Sequence, residues 1–216
     1  FLYRSPWEQI ASLSDWRKLG QVIKGTWPEP VPEIRRIAPH RWPAVFAFDT
    51  EFPRATPEYL LRWSMATREH GHPTVWVVED SQRVVQPWEG PKLPHVIAHN
   101  LEADLGHLHR LLRHAYTWDD TMYMHHAVFA DLDHDLGYVG SMYARVNRWK
   151  HLAHVDPIVY SGLDALGTWD VWAALKGSLA RDAQAEWVYT HLMNPLVPVV
   201  ARAVGGGQRV HQARVA

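Results

Sequence analysis

Asp49 and Glu51 stand two positions apart, in Phe48-Asp49-Thr50-Glu51, at the end of the apolar run Val45-Phe46-Ala47-Phe48. On a strand, residues i and i+2 point to one face. Two carboxylates side by side repel each other unless a cation lies between them. The apolar lead-in predicts a buried central strand, so acids at its end need a partner. A metal-binding pair and a solvated turn are the two readings. Asp104 opens a predicted helix in Ala98-His99-Asn100-Leu101-Glu102-Ala103-Asp104, where the helix macrodipole favours an acid. Glu102 could serve equally, and Asn100 is the candidate cap. Asp164 ends Tyr160-Ser161-Gly162-Leu163-Asp164, and Tyr160 and Asp164, four apart, face one side of a helix. Asp170 competes with Asp164. Gly162 and Gly167 lower helix propensity and allow close approach of another backbone or a substrate.

The elements that must position these side chains follow from period and punctuation. Residues Pro6–Lys24 predict an amphipathic helix, with Trp7, Ile10, Leu13, Trp16 and Leu19 on its apolar face and Gly25 at its end. The proline-rich stretch Trp27–Pro43 predicts an extended linker. Strands are predicted over Ala44–Asp49, Tyr59–Thr67, Pro73–Val78, Pro94–His99 and Trp118–Thr121. Helices are predicted over Ala103–His114, Met122–Phe129, Leu136–Arg145, Ile158–Leu179, Arg181–Leu192 and Pro195–Val204. A sheet followed by many helices reads as α/β with a mixed sheet.

The 216 residues suit one full-sized domain plus extensions, and a hydrophobic content of 47% makes the chain globular. No apolar run long enough to span a bilayer is present, so no membrane partner is expected. The chain has no cysteine, which excludes a disulfide framework and a thiolate zinc site. An intracellular, cytoplasmic setting is the expectation. A net charge of −1 excludes bulk-charge binding of nucleic acid, but not a local basic groove or metal-mediated contact with phosphate. The 15 histidines invite a second metal reading, with His107, His109 and His114, the adjacent pair His125–His126, and His151 with His154. No His-Glu-x-x-His pattern occurs, and adjacent histidines point apart on a helix. The start at Phe1 and the stop at Ala216 read as the limits of a piece of something longer.

Taken in order, Asp49-x-Glu51, Asn100-x-x-x-Asp104 and Tyr160-x-x-x-Asp164 resemble the three motifs of the DEDDy 3′→5′ exonuclease superfamily. Asp120-Thr121-Met122 and Leu132–Tyr143 resemble the segments between those motifs. Trp149-Lys150 followed by Tyr160–Asp164 and Ala165-Leu166 is similar to the phage-like branch of family A DNA polymerase proofreading domains. The resemblance covers roughly residues 44–192. Met193-Asn194-Pro195-Leu196 through Gly205-Gly206-Gly207-Gln208-Arg209-Val210 is similar to the join to a polymerase region, with Ala203 and Val210-His211 departing from the family pattern. Ala103 replaces the usual aromatic before the second-motif aspartate, and Phe52-Pro53 replaces the usual small residues. Leu2-Tyr3-Arg4-Ser5-Pro6 resembles the end of a family-four uracil-DNA glycosylase; any helix before a linker is the alternative.

The resemblance implies an RNase H-like (DEDD exonuclease) fold, α/β, with a central mixed sheet of about five strands flanked by α-helices. It divides the chain into 1–43, a helix and linker; 44–192, the exonuclease domain; and 193–216, the start of a truncated polymerase region. It implies hydrolysis of phosphodiester bonds at DNA 3′ ends by two Mg²⁺ or Mn²⁺ ions about 4 Å apart, as hard oxygen ligands suit. Asp49, Glu51, Asp104 and Asp164 would be the ligands, and the Tyr160 hydroxyl would orient the attacking water. Thr50 and Asn100 would contact the terminal nucleotide of a single-stranded 3′ end, and Phe52 would stack on it. The polymerase domain in cis would be the partner, in a bacterial or phage-infected cytoplasm. A DEDDy exoribonuclease and an inactive nucleic-acid-binding module of the same fold are the alternatives.

Overall fold

The computed structural model describes residues 6–79, 90 and 92–206. The segments Leu2–Ser5 and Gly207–Val210, and the side chains of Trp7 and Ile10, lie outside the described part. The elements run α1 (Pro6–Ile23), β1 (Ile34–Arg35), β2 (Val45–Glu51), β3 (Arg62–Glu69), β4 (His72–Val78), β5 (His95–Ala98), α2 (Leu101–Leu112), β6 (Thr117–Asp120), α3 (Thr121–Val128) and α4 (Leu136–Tyr143). A 3₁₀ turn (Lys150–His154) leads into α5 (Pro157–Leu179) and α6 (Ala183–Val188). A π turn (Tyr189–Met193) then joins α7 (Asn194–Gly206).

The six strands form one mixed sheet in the order β1-β4-β3-β2-β5-β6. β3 runs antiparallel to β2 and β4, while β2, β5 and β6 are mutually parallel. β2 therefore has a neighbour on each side, which is why its sequence is apolar up to the acids. Strand alternation sorts its residues between two layers. Ala47 joins Ala66, Val75, Val77 and Ile97 against Leu163 and Leu166 of α5. Phe46 and Phe48 join Trp63, Leu101, Leu108 and Val197 on the α2 and α7 side. α5 is buried nearly all round because it packs on the sheet and on α3 and α4. Its Gly162 makes this possible, since a Cβ there would lie 2.9 Å from Val75 Cγ1 and 3.0 Å from Ile34 Cδ1.

Three expectations need correction. The sheet has a sixth strand, because the proline-rich stretch contributes β1, parallel to β4. That stretch is also packed: Trp42 is buried and its ring stacks 5.7 Å from that of Trp63. The apolar face predicted for α1 is turned outward at Leu13, Trp16 and Leu19. The helix meets α4 instead through Ser14, whose hydroxyl donates to the Met142 carbonyl at 2.6 Å. Gly25 does end α1, at a positive φ of 67° that favours glycine. Among the described residues, no helix is long and apolar enough to cross a membrane.

Asn100 takes the N-cap position of α2 but does not cap it; it is left-handed and makes no side-chain cap bond. Asp120, at the end of β6, does this work. Its carboxylate accepts from Asn100 N at 3.2 Å and Leu101 N at 2.7 Å, and from Met122 N at 2.9 Å and Tyr123 N at 3.4 Å. One fully buried side chain thus satisfies the first amides of two helices. Asp120→Ala should cost about 2–4 kcal/mol, because several buried N–H groups lose their acceptor together. Urea unfolding measures this, and a loss under about 0.5 kcal/mol, the range of an ordinary surface change, would contradict it.

Candidate metal centre

Asp49 and Glu51 share the parity of Ala47, so their side chains emerge on the α5 side of the sheet. There they meet Asp164, two residues along α5 from Gly162, which packs on the strands. One carboxylate oxygen from each of the three lies within 4.8 Å of the others. Asp49 Oδ2 is buried and has no hydrogen-bond partner. An anionic oxygen without a donor is costly. A hard cation, which the carboxylate set suits, would remove that cost. The three carboxylates could therefore hold a metal ion.

Asp164 is itself tightly positioned. It is only 3% exposed. Its Oδ1 accepts from Trp149 Nε1 at 2.5 Å and from Lys150 Nζ at 2.6 Å. The Trp149 indole fills a slot between α4 and α5. A Cβ at Gly140 would come within 2.7 Å of it, and a Cβ at Gly167 within 2.5 Å. Gly162 and Gly167 were expected to admit a backbone or a substrate; they admit strand side chains and this indole. Lys150 also lies over the Tyr160 ring, 5.1 Å from its centroid, and 3.4 Å from its hydroxyl. Burial, then the charge of Asp164, pushes the Tyr160 phenol well above its usual range. It is therefore a proton donor or a fixed dipole at neutral pH.

Asp104 reaches the site from the other side. Thr50 has the parity of Phe48, so it points toward α2, and its hydroxyl donates to Asp104 Oδ1. Asp104 is thus close enough to raise the Asp49 pKa, but it is not one of the three clustered carboxylates. Thr50, expected at the terminal nucleotide, spends its hydroxyl on this bond. Asn100, at the N-cap position of the helix that carries Asp104, has its Oδ1 buried and unpartnered. Phe52 leans on His107, with ring centroids 5.1 Å apart. The two competing acids are engaged elsewhere. Glu102 accepts from the Tyr123 hydroxyl at 3.0 Å. Asp170 pairs with Arg68 at 2.7 Å and accepts from Arg145 N at 2.9 Å. Lys150 and the wedge made by Trp149 are the parts that residue types alone did not assign. Their signal was the Trp149-Lys150 pair ahead of Tyr160, without a role attached.

The adjacent histidines do not act apart. His134, in the loop after α3, sits between them, with Nδ1 2.8 Å from His125 Nδ1 and Nε2 2.7 Å from His126 Nδ1. They hydrogen-bond one another, and among the described residues the only grouping suited to a metal is the acidic one.

No family model matches the chain, and no curated protein matches it.

Burial, then Asp164, Asp104 and Glu51, raises the Asp49 carboxyl well above its usual range, with Lys150 opposing. Burial likewise raises Asp104 to about 8, against the hydrogen bonds from Thr50. The unfolded carboxyl titrates near about 4. Between these values the folded metal-free protein keeps a proton that the unfolded chain has lost. Stability must therefore fall as pH rises from about 4 to about 8, by up to roughly 1.4 kcal/mol per pH unit from this one group. Asp104→Asn cannot titrate and should flatten that decline. Urea melts in chelator from pH 5 to pH 8 check this; an unchanged slope would count against a buried, protonated Asp104.

Proposed function

We propose that this chain is a metal-dependent 3′→5′ exonuclease of the DEDDy type, acting on DNA 3′ ends as the proofreading part of a family A DNA polymerase. The observation that carries the reading is the convergence of Asp49, Glu51 and Asp164 within 4.8 Å, beside the Tyr160 hydroxyl. The order β4-β3-β2-β5-β6 with β3 reversed supports an RNase H-like core, with α7 packed on α2 as the leading edge of the polymerase region.

Asp49, Glu51 and Asp164 would hold one Mg²⁺ or Mn²⁺ ion, and Asp49 with Asp104 is the candidate pair for a second. Bound there, such ions supply an ionised water and neutralise charge on the phosphate. The chain's own groups do the rest. Tyr160, kept protonated by burial, orients water by its hydroxyl and does not act as a base. Asn100 Oδ1 is a free acceptor for a terminal nucleotide. Phe52, half-buried at the rim, offers a face for a base. The ordered placement of both aromatic and carboxylate groups at one end of β2 favours a strand terminus as the substrate.

The test is degradation of 3′-labelled DNA and RNA oligonucleotides with and without Mg²⁺. Mononucleotides should be released from DNA, excess EDTA should stop the release, and Asp49→Ala should abolish it with the fold retained. Cleavage that survives EDTA or the alanine change refutes the mechanism, and a preference for RNA replaces the polymerase assignment with an exoribonuclease.

Tyr160→Phe removes only the hydroxyl. The loss of one positioning hydrogen bond in a transition state costs about 2–4 kcal/mol, a rate loss on the order of a hundredfold. Single-turnover kinetics at saturating Mg²⁺ should show that loss with DNA affinity nearly unchanged. A wild-type rate would remove Tyr160 from the chemistry.

A further inference from the structure

Lys150 is the one cation in direct contact with the carboxylate cluster among the described residues. It stands on the 3₁₀ turn that precedes α5, and its ammonium is 2.6 Å from Asp164 Oδ1. Its charge also acts on Asp49 and Glu51, opposing the rise of both their pKa values. The stem is confined. A Cβ at Gly137 of α4 would lie 3.4 Å from Lys150 Cγ, and the Tyr160 and Trp149 rings lie 5.1 and 6.0 Å from the ammonium. Yet the side chain is 40% exposed, against 5% for Asp164. The head is thus at the mouth of the site and the carboxylate is at its floor.

This is a poor design for a permanent structural pair. One ammonium cannot neutralise three carboxylates, and a fixed bridge is better made by a guanidinium fork, as Arg68 makes with Asp170. A lysine is instead a single point charge on a flexible four-carbon stem. It would also compete with any divalent ion, because both cations use Asp164 and they repel each other across a few ångströms. When an ion takes Asp164, the ammonium, on a side chain 40% exposed, can turn outward past the Tyr160 hydroxyl 3.4 Å away. A phosphate bound at the cluster would bring anionic oxygens within reach of a cation released at this mouth.

We propose that Lys150 is a tethered cation that occupies Asp164 in the metal-free protein and is released, when a divalent ion binds, to contact the phosphate of the strand being cut. The second half rests on the exonuclease reading above; the first half does not.

Acetylation footprinting of the wild-type protein tests the release. Lys150 should be modified several-fold faster in Mg²⁺ than in EDTA, while Lys176, far from the cluster, should not change. Equal labelling overturns the proposal. Lys150→Met keeps the stem and removes the charge. Its affinity for Mn²⁺, followed by electron paramagnetic resonance, should rise about tenfold or more as the competitor is lost. A structural prop would predict the reverse, so unchanged or weakened binding overturns the proposal. At saturating Mn²⁺, the same variant should cleave DNA about a hundredfold more slowly in single turnovers, with Lys150→Arg recovering part of the rate. A full rate in Lys150→Met removes the phosphate contact. Tighter Mn²⁺ binding in a protein whose wild type degrades no 3′ end keeps the tethered cation and removes the exonuclease reading.

Discussion

Three carboxylates within 4.8 Å of one another repel, and the structure around them is what holds them there. At an effective dielectric constant of 20, two unit charges about 4 Å apart repel by roughly 4 kcal/mol. Whole domains are stable by only about 5–15 kcal/mol. Full ionisation of the set would consume much of that, so the elements that carry it must be hard to move. Asp49 and Glu51 lie on a strand paired on both sides. Asp164 lies on the longest helix among the described residues, pressed to the sheet at Gly162 and locked by the indole in the Gly140–Gly167 slot. The remaining strain is relieved chemically. Burial raises the pKa values of Asp49 and Glu51, which favours their neutral forms, while Lys150, and at Glu51 also Arg62, favours the charged ones.

The parts of this that local pattern reveals are those set by a single element. The parity of Asp49 and Glu51 follows from strand alternation, and the shared face of Tyr160 and Asp164 follows from helical spacing. Both could be read without knowing what stood opposite. What was not legible depends on partners that arrive from far along the chain. Asn100 has the residue type of a cap, but Asp120 reaches the same amides from β6 and displaces that role. Nothing local to Thr50 shows that its hydroxyl donates to Asp104, which arrives from α2. The stripe on α1 has the period of a buried face, yet Ser14 and not a large apolar side chain sets the contact with α4. Glu102 and Asp170 were indistinguishable from Asp104 and Asp164 by type alone, and only Tyr123 and Arg68 separate them.

The two faces of β2 exert different kinds of control over the site. On the α5 face the ligand set is assembled before any ligand comes: its three carboxylates are in place and one oxygen is without a partner. On the α2 face the fourth carboxylate is held in place, because Thr50 donates its hydroxyl to Asp104 Oδ1, a bond that the acid can keep while its other lone pairs serve a cation. A hydrogen bond to a charged group is worth about 1.5–3 kcal/mol, and here it opposes the burial, which favours the protonated acid. On the exonuclease reading, this makes the two ion positions unequal. The first asks only that Lys150 leave Asp164. The second asks that Asp104 lose a proton in a buried place, a cost that the cation accompanying a bound phosphate can offset and an empty cleft cannot. On that same reading, filling both ion positions would be coupled to the presence of a strand end. The coupling needs no moving domain, only the alternation of Asp49, Thr50 and Glu51 along a single strand.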